Sequence, residues 1–242
     1  MGRIDVELVS RGFYKTREKA KVAILKGFVK VNNVEIIKPS FCILPEDLVE
    51  TSLEVISYVS RGGLKIEKAL DYFNIDVSEK RVLDIGASTG GFTQCVLKRG
   101  AKQVYAVDVG HGQLDDELKN DSRVINMEGT DIRTLNCDKT EGSFDFATVD
   151  VSFISLEKVL PNISNLLNSG AILMCLVKPQ FEVGKMNLSK RGIVTEVKIR
   201  EACIRQIICT AEMLEFSSLG FIESPIKGKE GNVEYLLCLK KL

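Results

Sequence analysis

A chain of 242 residues with 45% hydrophobic and 27% charged side chains has the composition of a soluble globular protein, long enough for a small domain joined to a medium one. No stretch approaches the roughly 20 apolar residues of a membrane span, and Met1-Gly2-Arg3-Ile4-Asp5 carries no signal-peptide core, so a cytoplasmic protein without membrane contact is expected. The net charge is zero, yet residues 1–45 hold nine basic and four acidic side chains, which leaves the remainder acidic by the same margin. That asymmetry suits a basic nucleic-acid-binding module on an acidic body, although charge alone equally allows a chance surface excess.

In the basic segment, residues 5–11 read as a short helix with Val6, Leu8 and Val9 apolar, ended by Gly12. Thr16 is a suitable N-cap for a second helix to Lys26, with Ala20, Ala23, Ile24 and Leu25 as its apolar stripe, and Gly27 closes it. Residues 28–31 alternate like a strand, and Asn32-Asn33 turns the chain into Val34-Glu35-Ile36. A helix pair presenting Arg17, Lys19 and Lys21 beside Arg3 suits RNA phosphates. The order Arg3-Ile4-Asp5, Leu8, Gly12, Thr16-Arg17, Ala20, Ile24, Gly27, Val29, Val31-Asn32 resembles the S4 RNA-binding domain, which implies structured RNA as partner.

From about Arg61 the pattern changes. Residues 64–73 look helical, and 81–85 form a buried strand followed by Gly86-Ala87-Ser88-Thr89-Gly90-Gly91 and a helix through Arg99. Further strands fit 103–107, 124–127, 144–149 and 171–177, with helices between, the alternation of a parallel sheet covered on both faces. Residues 221–222 and 233–239, joined by a glycine- and charge-rich loop over 227–232, resemble the antiparallel end of the methyltransferase variant of the Rossmann fold. The glycine loop lets backbone approach a ligand, and Asp108, about 20 residues on at a strand end, is the carboxylate expected for a ribose diol. Together they indicate an adenosine cofactor without separating NAD from S-adenosylmethionine; Asp108 could also be a plain N-cap. Asp150 and Lys178 end strands, and Glu234 falls inside 233–239. Unpaired charges there are costly, and strand C-termini converge on one edge, so Asp150 and Lys178 are expected near the glycine loop. Seven isolated cysteines, with no CxxC pair, read as reduced core thiols; with a single histidine, His111, taken as a loop residue, no metal site is expected.

Val59-Ser60-Arg61-Gly62-Gly63-Leu64-Lys65, Asp84-Ile85-Gly86-Ala87-Ser88-Thr89-Gly90-Gly91-Phe92-Thr93, Ala106-Val107-Asp108-Val109-Gly110, Asp150-Val151-Ser152-Phe153-Ile154-Ser155 and Val177-Lys178-Pro179-Gln180-Phe181-Glu182 resemble the TlyA rRNA methyltransferases, also called hemolysin A, with their FtsJ-type catalytic domain. The resemblance spans the chain. It implies an α/β fold: a Rossmann-like class I domain with a seven-stranded, mostly parallel sheet whose last strand is antiparallel, preceded by a small α+β S4-like domain. The expected division is 1–55 for the S4-like domain, 56–60 for a linker and 61–242 for the catalytic domain. It implies a tetrad of Lys65, Asp150, Lys178 and Glu234, S-adenosylmethionine as cofactor, and 2′-O-methylation of cytidine in ribosomal RNA. The short termini beyond the two domains favour 23S rRNA, with 16S rRNA as a further target.

The expected cofactor set is Gly86, Ala87, Ser88, Thr89, Gly90, Gly91, Phe92, Asp108, Val109, Asp131, Ile132, Asp150 and Phe153, the last either beside cofactor or target base or simply core. Arg3, Lys15, Arg17, Arg61 and Arg133 are the expected RNA contacts. Lys178 is expected nearest the ribose hydroxyl, as base or as orienter. No obligate protein partner is expected, and a monomer or weak oligomer is. Three other readings compete: a non-catalytic ribosome-assembly protein, a cytolysin in keeping with the hemolysin name, and an NAD oxidoreductase. The filled tetrad disfavours the first, the lack of an apolar span or cationic amphipathic helix the second, and the Ser88-Thr89-Gly90-Gly91 loop the third.

Overall fold

The computed structural model describes residues 2–14, 16–25, 27–51, 58–228 and 231–242. The chain separates into two units, Met1–Ser57 and Tyr58–Leu242. Lys15, Lys26 and, within the expected linker, Ile56 and Ser57 lie outside the described residues.

In the first unit, β1 (Gly2–Arg3) leads into α1 (Ile4–Ser10) and α2 (Arg17–Leu25), followed by β2 (Val29–Val31), β3 (Val34–Glu35), β4 (Cys42–Ile43) and β5 (Val49–Thr51). Thr16 caps α2, its hydroxyl accepting the Lys19 N–H at 3.3 Å. Asn32 and Asn33 both take positive φ (49° and 65°), the turn that matches hairpin twist, and join β2 to β3. Beyond the expected hairpin, β5 pairs with the other edge of β2 and β1 pairs with β4. Strands of two or three residues are too short for alternation to reveal them. Ile4, Leu8, Ala20, Ala23, Ile24, Val29 and Ile43 make the core. Leu25, expected on the buried stripe of α2, is exposed, as is the apolar Val6 of α1; Ile4, Asp5 and Leu8 take the buried positions of α1. Arg11 pins α1 to the following loop, donating to the carbonyls of Leu44 (2.9 Å) and Asp47 (3.0 Å).

The second unit is a seven-stranded sheet with helices packed against it. Its elements are α3 (Gly62–Tyr72), β6 (Arg81–Ile85), α4 (Gly91–Lys98), β7 (Gln103–Asp108), α5 (Asp116–Lys119), β8 (Val124–Glu128), β9 (Phe144–Val149), α6 (Leu160–Leu166), β10 (Leu167–Val177), α7 (Pro179–Glu182), α8 (Val197–Glu212), β11 (Phe216–Glu223) and β12 (Tyr235–Lys241). The strand order is β11-β12-β10-β9-β6-β7-β8. Strands β6 to β10 pair in parallel, and β12 runs antiparallel to both β10 and β11. The antiparallel strand is thus inserted between two strands of the opposite sense. Central strands are near-continuous apolar runs because helices cover both faces: Val82, Leu83, Val104, Phe146, Ala147, Leu173 and Cys175 are all but inaccessible. Strand β10 starts four residues before the expected 171, with a register irregularity between Leu167 and Ile172 that hid its first turn. Glu234 is not inside the last strand as expected; it immediately precedes β12.

Four cysteines (Cys95, Cys175, Cys203, Cys238) are core thiols, but Cys42 and Cys209 are exposed and Cys137 is half-buried. Among the described residues no helix is long and apolar enough to cross a membrane, and no cluster of His, Cys, Asp and Glu could hold a metal.

Candidate active site

The C-terminal ends of β6, β7, β9 and β10 place Gly86, Asp108, Asp150 and Lys178 along one edge of the sheet. Because β12 is antiparallel, its beginning lies at that same edge. The pairing Val177↔Tyr235, carried one residue further, sets Lys178 opposite Glu234. Lys65 enters from α3, 169 residues away in sequence from Glu234, and its Nζ donates to Glu234 Oε2 at 2.5 Å. Lys178 Nζ lies 2.6 Å from Asp150 Oδ1 and donates to the Ser152 hydroxyl at 2.8 Å. The Lys178–Asp150 contact is an ion pair off the line of a hydrogen bond, so Oδ1 has no aligned donor. Two ammonium groups and two carboxylates therefore meet in two pairs. Glu234 is only 3% exposed and Lys65 9%.

Two cavities share this edge. The larger, about 730 Å³, is lined by all four charged residues together with Ser60, Arg61, Gln180, Arg191, Lys227 and Asn232. The other, about 540 Å³, is lined by Ile85, Asp108, Val109, Thr130, Asp131, Ile132, Ile154 and Val159. Gly86, Ser88, Asp150, Ser152 and Phe153 line both, so one wall joins them.

The glycine loop is shaped by protein contacts as much as by space for a ligand. Gly86 has φ +78°, and a Cβ there would collide with the Asp150 carbonyl, so glycine alone permits β6 to approach the end of β9 so closely. Gly90, at φ +91°, is the left-handed entry to α4; its Cβ would strike Leu114 and Leu118, and it lines neither cavity. Gly91 packs against Ser60 and Gly63. Ala87, Thr89, Gly91 and Phe92 line the larger cavity only. Under the loop, Asp84 is fully buried and accepts the Thr93 (2.6 Å) and Thr148 (2.7 Å) hydroxyls, burial pushing its carboxyl up to about 6.

Asp108 anchors the loop. Its Oδ2 accepts the N–H of Ser88, a non-glycine residue at φ +49°, and its Oδ1 accepts the Gly110 N–H, both at 2.8 Å. A carboxylate has about four acceptor sites, so lone pairs remain for a diol. Beyond it, Glu128 holds the 113–114 backbone; the Leu114 N–H, the Asn126 amide and the Gln113 N–H bring its carboxyl down to about 2. An acceptor-edged, mostly apolar cleft of this size fits an adenosine group. Asp131 and Arg133 form a forked pair at its rim (2.6 Å), with the Arg133 side chain still exposed. His111 lies in the loop after β7, against Gly129.

Phe153 is not core. It is 91% exposed, has φ +64°, unusual for an aromatic residue, and stacks at a tilt on Phe181 with centroids 5.0 Å apart. Sequence reasoning singled out neither Ser152 nor Gln180, although both lie within the quoted motifs. It also missed Arg191, Lys227 and Asn232. Asn232 is buried and bridges the 227–232 loop to a second segment, accepting the Val194 N–H (3.1 Å) and donating to the Gly192 carbonyl (3.0 Å). The charged glycine-rich loop was visible as a loop, but nothing in sequence joined it to residues 191–194. Glu182 receives the Leu156 N–H at 2.9 Å and so fixes α7, with burial raising its carboxyl.

A Rossmann-like sheet with one inserted antiparallel strand, and a nucleoside-sized cleft sharing a wall with paired lysines and carboxylates, defines a class I methyltransferase. The profile of the FtsJ-like methyltransferases matches residues 58–241, and that of the S4 domain residues 2–49. The 16S/23S rRNA (cytidine-2′-O)-methyltransferase TlyA of Mycobacterium tuberculosis is 40% identical, over 98% of this chain and 89% of its own. The 23S rRNA (cytidine-2′-O)-methyltransferase TlyA of Campylobacter jejuni is 40% identical over 84% and 81%. A solved structure from Streptococcus thermophilus, described as a hemolysin, superposes with a TM-score of 0.79 at 44% identity, over 99% of this chain and 88% of that one. The chain belongs to the TlyA family of FtsJ-like methyltransferases.

Proposed function

We propose that the protein methylates the 2′-hydroxyl of a cytidine in ribosomal RNA, in 23S rRNA first, acting in the cytoplasm as a monomer or weak oligomer. The observation that carries this reading is the shared wall at Gly86 and Asp150, where a nucleoside cleft opens onto two lysine–carboxylate pairs. Bound S-adenosylmethionine supplies an electrophilic methyl group. Asp108 takes the ribose hydroxyls; Val109, Asp131 and Ile132 border the base; and Gly86, Ser88 and Asp150 border the methionine end, with Ala87, Thr89, Gly91 and Phe92 shaping the loop. Gly90 sets the helix entry.

Lys178 acts as the orienting group, its Nζ held by Asp150 and Ser152. It orients the 2′-oxygen and offsets the negative charge that grows on that oxygen as the O–H proton passes to water. Asp150 holds Lys178, and Glu234 holds Lys65. Arg61, Arg191 and Lys227 edge the larger cavity with positive charge, while Arg3 and Arg17, with Lys15, give the amino-terminal unit its RNA affinity.

The test is transfer of labelled methyl from S-adenosylmethionine to unmodified ribosomal RNA, with the 2′-O-methyl mapped by reverse-transcription stops. A cytidine stop in 23S rRNA is expected. Labelling of a base atom, or none at all, refutes the proposal. Asp108→Ala is expected to weaken S-adenosylmethionine binding about tenfold or more in calorimetry while leaving kcat at saturating cofactor largely intact; unchanged affinity removes Asp108 from the cleft. Phe153 offers a stacking face worth ~1–3 kcal/mol per base. Phe153→Ala should therefore raise the KM for RNA by roughly one order of magnitude in steady-state kinetics; an unchanged KM removes Phe153 from RNA stacking.

A further inference from the structure

Asp5 is the buried carboxylate of the amino-terminal unit, its side chain wholly shielded from solvent. Two arginines reach it. Arg3 forks onto it, Nε to Oδ1 at 3.0 Å and Nη2 to Oδ2 at 3.2 Å, and Arg17 Nε donates to the same Oδ2 at 2.8 Å. Both arginine side chains remain nearly half exposed, 47% and 45%. One carboxylate thus serves as a common base for two guanidinium groups whose outer N–H donors face water. Arg3 precedes α1 and Arg17 opens α2, so the carboxylate also links the two helices.

Burying a charge for stability alone is a poor bargain, since an apolar side chain of similar size does as well. Two guanidiniums left side by side repel each other, and each would sample many rotamers; a shared acid removes both costs before a ligand arrives. The remaining forks match phosphate oxygens, which planar guanidinium groups bind in pairs. We propose that Asp5 is a positioning residue that sets Arg3 and Arg17 as a single clamp for the phosphodiester backbone of structured RNA. The net charge of the trio stays positive, as an anion site requires.

This clamp rests on the rRNA reading above, but its test is read on binding, so the two fail separately. The full chain is titrated with a fluorescent fragment of 23S rRNA across a salt series, as wild type, Asp5→Asn, Arg3→Ala/Arg17→Ala, and the triple variant. The arginine pair variant is expected to lose about tenfold or more in affinity and to flatten the salt dependence by roughly 0.7–0.9 for each phosphate released. Asp5→Asn should weaken binding severalfold even though it adds positive charge, and should cost nothing further once both arginines are gone. Cofactor affinity should stay at its wild-type value. Binding by Asp5→Asn equal to or tighter than wild type overturns the proposal, because Asp5 then merely competes for the arginines. An equal loss in both backgrounds overturns it as well, because the carboxylate then serves folding alone.

Discussion

Replacing Lys178 by alanine is expected to lower kcat for methyl transfer by roughly 10²–10³-fold, the range seen when one donor aimed at developing negative charge is removed. The geometry makes this the largest catalytic effect. Lys178 lines the larger cavity and is held by two residues of the wall common to both, 2.6 Å from Asp150 and 2.8 Å from Ser152. Cofactor affinity should change little, because the nucleoside cleft is lined by Asp108, Val109 and Ile132 and not by Lys178. Near wild-type turnover by Lys178→Ala would remove the residue from the mechanism.

The fold was legible where apolar periodicity ran long enough. The strands at 81–85, 103–107, 124–127 and 144–149 emerge within a residue or two of their expected ends, because buried parallel strands are continuous apolar runs bounded by glycine and polar residues. The short strands β1, β4 and β5 escaped because two or three residues carry no period, and their pairing is decided by contacts distant in sequence. The four charged residues could be named individually, through strand ends and family motifs. Their division into Lys65–Glu234 and Lys178–Asp150 rests on the β10–β12 register and on how α3 packs, neither of which strand ends alone supply. The glycine loop was legible for a partly different reason from the expected one. Gly86, Gly90 and Gly91 each make room for protein atoms. Phe153 was undecidable in sequence because core and stacking aromatic residues look alike; its exposure and left-handed backbone decide against core.

The Lys65–Glu234 pair carries the other large expectation, and it is one of stability. Removing one member of a buried pair leaves an uncompensated charge and costs ~3–5 kcal/mol. For a domain of this size each kcal/mol is worth about 2–4 °C in melting temperature, so Glu234→Ala should melt some 6–20 °C below wild type in a circular-dichroism scan and be inactive. Lys65→Met/Glu234→Leu, which replaces both charges with apolar groups of similar bulk, should recover most or all of that loss, as buried pairs exchanged for apolar packing commonly do. It should nevertheless remain inactive while binding S-adenosylmethionine normally, because neither residue lines the nucleoside cleft. That outcome would mean the buried pair is kept for chemistry and not for stability. Recovered activity in the apolar double variant would show that Lys65 and Glu234 only hold β12 against α3, and the reaction would then depend on Lys178 and Asp150 alone.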